Sequence, residues 1–316
     1  MKRDDASIFV QNCAILASLL EVSAYPKPGN VHRTSNFSNT SFEHFLSGGV
    51  AIGESMKALA IRGYLAEEGR LNWSEISLGE YIQKAVRDSH EWQKGGNVNL
   101  GIVLLIAPIS AAAGATLSKK DSIELKTLRR YMQRVLEEST PEDVISVYKT
   151  IGESMSQKNL GSTKEMDILD EDSQSRIREE RMNLIEVFRF GADRDMICSE
   201  YSSGYKTIFE VGYPYLKRKL ETETTNIAIV DTFLYLLSMN PDSLIIRKSG
   251  IVKAREVSSK AGQVLETGGL STIEGNRRVH DLDRMLQQEK GALNPGTTAD
   301  LIAATIFLAL LTGWRP

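Results

Sequence analysis

Apolar residues return at intervals of three and four along nearly all of this 316-residue chain, and strict strand-type alternation is almost absent. Residues 6–22 carry Ile8, Phe9, Ile15, Leu16, Leu19 and Leu20, and residues 42–60 carry Phe42, Phe45, Ile52, Met56 and Leu59 on the same spacing. "SLGEYIQKAVRDSHEWQKGG" starts with a serine and an acidic first turn and stops on lysine and two glycines, the start and stop chemistry of a helix. The same pattern predicts helices over 122–138, 141–155, 178–190, 191–211, 226–239 and 253–266. "DSLIIRK" is the one short run with strand character, and it reads equally well as a loop entering a helix. The expected fold is all-α, one domain over 1–316 with roughly ten or more helices. The polar, acidic stretch 156–178 is expected to be a surface excursion.

Two runs, "GIVLLIAPISAAAGA" and "ADLIAATIFLALL", are almost wholly apolar. Both fall short of the roughly 18–20 residues that span a bilayer, so they read as buried helices of a soluble protein. The first residues turn from charged to apolar without a small-residue cleavage site, which reads as a first helix and not a signal peptide. Net charge is −3, so no basic surface points to nucleic acid. Two cysteines, Cys13 and Cys198, give neither a zinc set nor a disulfide framework, and a reducing cytoplasm is the expected setting.

The chemistry lies in the polar punctuation between helices. In "PKPGNVHRTSNF", Pro26 and Pro28 stiffen the backbone, Gly29 permits a turn, and Lys27, His32 and Arg33 follow as candidates to hold phosphate. The plain alternative is a connector with solvated charges. In "GGNVNLG", Asn97 and Asn99 are candidate caps or ligand contacts, and no Lys-Ser/Thr follows to make a P-loop. In "GADRDMICSEYSSGY", Asp193 and Glu200 stand seven apart, placing both on one helical face where two carboxylates could hold Mg²⁺; ordinary surface charge is the plain alternative. Arg247 and Lys248 flank Gly250 in a basic segment suited to phosphate or to a simple turn. In "NPGTTADLIAATIFLALL", Asp300 falls in the first turn of an apolar helix, where it serves the dipole or faces a cleft.

Taken together, these segments resemble the triphosphoribosyl-dephospho-CoA synthases. That family carries Glu-Val-x-x-x-Pro-Lys-Pro-Gly-x-Val, matched from Glu21 to Val31, and a terminal Pro-Gly-rich Ala-Asp-Leu element, matched from Asn294 to Ala303. Its three central elements resemble "GGNVNLG", "RDMICSEYSSGY" and "PDSLIIRKSG", in the same order. The sequence departs at Asn99-Leu100, where the family has His-Lys, at His32, where an acid is expected, at Thr297-Thr298, and at "FSNTSFEHF", where the family has Gly-x-His-x-Asp-Met. The resemblance implies an all-α cytoplasmic enzyme that joins ATP to dephospho-CoA and releases adenine. The acceptor's ribose 2′-hydroxyl attacks the anomeric carbon of the ATP ribose, and the triphosphate stays on the transferred sugar. It implies phosphate-holding roles for Lys27, Gly29, Arg33, Asn97, Asn99, Arg247 and Lys248, and Mg²⁺ at Glu200 and Asp300. Glu43 is the candidate base and His32 the candidate proton donor, with Asp300 also catalytic. The partners implied are small molecules, with neither nucleic acid nor membrane, and a homo-oligomer is compatible. The departures keep two other classes open: another Mg²⁺-dependent nucleotide-using enzyme, a kinase or hydrolase, and a non-catalytic nucleotide-binding protein.

Overall fold

The centre of the molecule is the helix Leu100–Lys119, whose apolar face runs all the way round. Such a helix has to be surrounded, and five others enclose it: Arg3–Ser23, Gly53–Glu67, Leu78–Glu91, Leu125–Glu137 and Gly296–Leu311. The computed structural model describes residues 1–155, 166, 168 and 171–316. Among these residues all regular structure is helical, and the one bridge, His32 to Ser35, is isolated.

The tightest packing joins Leu100–Lys119 to Gly53–Glu67. A Cβ on Gly114 would stand 1.9 Å from the carbonyl oxygen of Ala60, and a Cβ on Gly63 would stand 1.9 Å from that of Ala111. The two backbones therefore touch, and only glycine fits at either crossing point. Gly114→Ala gains about 1 kcal/mol of helix propensity but forces two backbones apart, and overpacking of a filled core costs about 1–3 kcal/mol or more. The expected net effect is a loss of about 2 kcal/mol, read as a lower denaturant midpoint at unchanged m-value.

Several elements differ from the sequence reading. The central helix runs beyond its apolar run into Ser118 and Lys119, reaching 20 residues. By length and composition it is long and apolar enough to cross a membrane, contrary to the expectation for its run, as is Arg3–Ser23, whereas Gly296–Leu311 is shorter, as expected. The apolar window of Leu100–Lys119 is wholly buried against its neighbours, so protein packing accounts for its composition. The predicted 42–60 helix is two, Phe42–Ala51 and Gly53–Glu67. The 178–190 reading resolves into Glu171–Glu179 and Leu184–Arg189. The 191–211 reading resolves into Met196–Ser203 followed by a π turn, Thr207–Gly212. Asp193 precedes that first helix, so it shares no helical face with Glu200. "DSLIIRK" is helical, because Asp242 accepts from the N–H groups of Leu244 and Ile245 and starts the helix there. That helix breaks at Gly250, whose φ of 85° lies outside helical geometry. Ile273–Gln287 is a further helix that the periodicity does not announce. Of the expected excursion, 156–165, 167 and 169–170 lie outside the described residues, and Met166 is buried.

Candidate active site

Four helices begin at one cleft of about 330 Å³. Leu100 and Gly101 open the central helix, Ile197 and Cys198 open Met196–Ser203, Leu244 and Arg247 follow the Asp242 cap, and Gly296 and Thr297 open the last helix. Helix starts present N–H groups and positive dipole ends, which favours anions. Phe45, Val98, Ile102, Leu104, Phe188 and other apolar side chains form much of the wall. The charged groups lining it are Glu21, Asp195 and Asp300 against Arg194 and Arg247.

A polar lattice holds the helix starts together. Asp195 Oδ1 accepts from the N–H groups of Ile197 (2.9 Å) and Cys198 (3.1 Å). Its Oδ2 accepts from the Arg247 guanidinium and from Ser243 Oγ at 3.3 Å. Ser243 also lies 3.0 Å from Thr297 Oγ1. Asp242 Oδ2 accepts from Thr298 N–H (2.7 Å) and Oγ1 (2.8 Å), tying the helix start at Ser243 to the last helix. Asp195 and Asp242 thus spend their oxygens on the scaffold. Two cleft-lining side chains keep unspent, buried atoms: Arg247 Nε and Asn294 Oδ1 have no hydrogen-bond partner. Burying such atoms unpaired is costly.

Asp300 differs from the other acids. Its carboxyl lines the cleft, is partly exposed and accepts no hydrogen bond among the described residues. It lies over the bare Cα of Gly101, where a Cβ would fall 2.0 Å from Oδ2. Burial raises its pKa well above the usual carboxylate range, and the nearby charges of Glu21, Asp242 and Asp195 raise it further against the opposing pull of Arg247. Cys198 is also free, with its thiol pushed well up by burial.

Comparison with known proteins decides what this cleft belongs to. The family model of the ATP:dephospho-CoA triphosphoribosyl transferases (CitG) matches residues 9–316. The chain belongs to that family. A synthase of Klebsiella pneumoniae, 2-(5''-triphosphoribosyl)-3'-dephosphocoenzyme-A synthase, is 23% identical over 296 residues, covering 93% of this chain and 87% of its own. A protein of Streptococcus equi subsp. zooepidemicus assigned as the same synthase is 26% identical over 312 residues, 96% of each chain. A crystal structure from Archaeoglobus fulgidus assigned as a triphosphoribosyl-dephospho-CoA synthase superposes with a TM-score of 0.61 at 28% identity, covering 87% of this chain and all of that one. The chain is accordingly an ATP-dependent triphosphoribosyl transferase.

Within this transferase, the residues singled out from sequence divide sharply. Asn97, Arg247 and Asp300 line the cleft, and Asn97 Oδ1 also accepts from Leu100 N–H at 3.1 Å. Asn99 is buried behind the wall, its Nδ2 3.4 Å from Ser89 Oγ. The proline-braced turn faces inward instead of presenting its cations to a ligand. Lys27 is fully buried on Glu21. Gly29, with φ 74°, donates its N–H to Asp283 Oδ1 at 3.0 Å, and the buried His32 has Nε2 3.1 Å from Asp283 Oδ2. Both therefore pin the turn to Ile273–Gln287 and leave the cleft. Arg33 donates to Ser23 O and lies over the Tyr25 ring. Lys248 donates to Gly291 O at 3.1 Å. Glu43 is exposed in the first turn of Phe42–Ala51, outside the cleft. Glu200 is buried, and its two oxygens accept from Thr207 and Ile208 N–H at 3.0 Å each, so it closes a helix end and does not line the cleft. The polar cleft groups that the sequence reading passed over include Glu21, Asn30, Arg194, Asp195 and Asn294. Glu21 stands in the first family element, and an aspartate just ahead of an apolar helix is itself a cap signal.

Proposed function

We propose that the cleft binds ATP, with its triphosphate toward the converging helix starts and Arg247 and its purine against the apolar wall, and transfers the triphosphoribosyl group to dephospho-CoA. The observation that carries this reading is Asp300. It is a carboxyl with no hydrogen-bond partner among the described residues, aimed at a cleft where four helices begin. A carboxylate so placed stabilises the positive charge that grows on the sugar as the glycosidic bond stretches. Arg247, which lines the cleft and is already oriented by Asp195, has the guanidinium chemistry to grip phosphate oxygens.

Mg²⁺ accompanying the triphosphate fits the donor chemistry. Among the described residues no three His, Cys, Asp or Glu side chains cluster as a metal cage, but Mg²⁺ is commonly held by one or two carboxylates with substrate phosphates. Asp300 has free oxygens for it, and the acidic surroundings that raise its pKa are the surroundings a cation would relieve. The ion would offset phosphate charge. The two free thiols support a reducing, cytoplasmic setting.

Incubating the protein with ATP, Mg²⁺ and dephospho-CoA, and separating the products by chromatography, tests the reading. Free adenine is expected only when dephospho-CoA is present. ADP in place of adenine would overturn the reading in favour of phosphoryl transfer, and ATP binding without any product would leave a binding protein.

A further inference from the structure

The buried ion pair at the end of the first helix has a place in this reaction. Lys27 is fully buried, donating to the Glu21 carboxylate through Oε1 and to the Glu21 carbonyl oxygen at 3.1 Å. Both bonds go to one residue, six positions back across the cis Tyr25–Pro26 peptide. The ammonium does not line the cleft, but Glu21 does. Glu21 Oε2 has no hydrogen-bond partner among the described residues. Of the acids around the cleft, Asp195 and Asp242 have their oxygens bonded to the scaffold. Asp300 is the carboxylate suited to the cation and the sugar charge. Glu21 is left with one oxygen clamped and one open.

We propose that Glu21 is the carboxylate that receives the proton of the attacking ribose hydroxyl, and that Lys27 is its positioning residue and does not touch phosphate. This rests on the transferase reading above. In the step, the hydroxyl O–H bond breaks and its proton passes to Glu21 while the oxygen bonds to the anomeric carbon of ATP. The bond from that carbon to adenine breaks, its electron pair leaves on the adenine nitrogen, that nitrogen takes a proton from water, and Glu21 gives its proton back to water after the transfer, so one proton is taken up and one released. Clamping Oε1 fixes the direction of the open oxygen, and a fixed general base needs no reordering when the acceptor arrives. The two prolines, with Gly29 and His32 anchored on Asp283, hold the lysine in place from behind.

The test is a kinetic cycle of Glu21→Gln, Lys27→Met and the double variant, with adenine release as the signal and ATP affinity measured separately by calorimetry. Glu21→Gln is expected to lower kcat by about 100-fold or more, with the KM for ATP within about threefold of wild type. Lys27→Met is expected to lower kcat similarly with the same small change in KM, and the double variant is expected to be no slower than the slower single one. Lys27→Met leaves a buried carboxylate unpaired and is expected to be the least stable, whereas the double variant removes both charges and regains stability. If Lys27→Met does not fold, the double variant against Glu21→Gln still reads the coupling. A raised KM for ATP with unchanged kcat in the double variant relative to Glu21→Gln would make Lys27 a phosphate ligand and overturn the proposal. So would wild-type kcat in Glu21→Gln. If wild type itself releases no adenine with dephospho-CoA, the transferase reading fails first, independently of these variants.

Discussion

Asp300→Asn is expected to lower turnover by about 10³-fold, the scale seen when a group aimed at developing charge is removed, and at the same time to stabilise the ligand-free protein. The two effects have one cause. The carboxyl is only partly exposed at the cleft wall, accepts no hydrogen bond among the described residues, and lies among the charges of Glu21, Asp242 and Asp195. Its ionised form is therefore disfavoured in the folded state, and the amide has the same size without the charge. The pH dependence follows in sign. A carboxyl whose folded pKa is raised binds more protons folded than unfolded, so its contribution is fully present below the unfolded value near 4 and is lost as pH climbs through the folded value. In the presence of a chelator, the melting temperature of Asp300→Asn is expected to match wild type near pH 4 and to exceed it increasingly toward neutral pH. Glu21 and Asp242, whose pKa values burial also raises, are present in both proteins, so the difference reports Asp300 together with its coupling to them. A variant that keeps full turnover would remove Asp300 from the mechanism. A variant that loses stability with rising pH as fast as wild type would remove the electrostatic account. Destabilised function inside a stable scaffold is a common trade at active sites.

The helices were legible in the sequence because the period of 3.6 is a property of the chain itself. The exceptions have local causes. Ile273–Gln287 escaped because its pattern is written in charge. Arg277 and Arg278 both reach Glu274, and Arg277 and Arg284 both reach Asp281, forming a surface ladder with a narrow buried face of Val279, Leu282 and Leu286. "DSLIIRK" looked like a strand because four apolar or long residues in a row carry no period, and the deciding contact is the Asp242 cap. The cleft was legible at Asn97, Arg247 and Asp300, where polar residues stand at helix starts. Asp195 meets Arg247 across 52 residues of sequence, and no local pattern encodes such a meeting. Lys27 shows the reverse problem. A lysine between two prolines reads as an exposed cation, since lysine is almost never fully buried unless paired, and its pair lies on the preceding helix.

Gly101→Ala is expected to lower activity by about 100-fold, less than removing the Asp300 carboxylate, without unfolding the protein. At the helix crossings of Gly114 and Gly63 the obstacle is a backbone carbonyl, which can only be displaced by moving a helix. At Gly101 the three nearest atoms are Asp300 Oδ2, Cγ and Oδ1, at 2.0, 2.3 and 2.8 Å from where the Cβ would stand. A short side chain can swing aside, so the added methyl is accommodated by moving Asp300. In the first turn of Leu100–Lys119, alanine also improves helix propensity. Stability is thus expected to change by less than about 1 kcal/mol, while displacing the reacting-site carboxylate by an ångström or more is expected to lower kcat by about 100-fold. A double-mutant cycle separates this from a general disturbance of the cleft. Asp300→Ala removes the atoms that the methyl strikes, so adding Gly101→Ala to it is expected to have almost no further effect on kcat. If the double variant is slower than Asp300→Ala by the full factor that Gly101→Ala shows alone, the methyl is acting on something other than Asp300. If Gly101→Ala is as active as wild type, then contact between the central helix and Asp300 does not set the position of that carboxylate, and the close approach of the two helix starts has a packing role only.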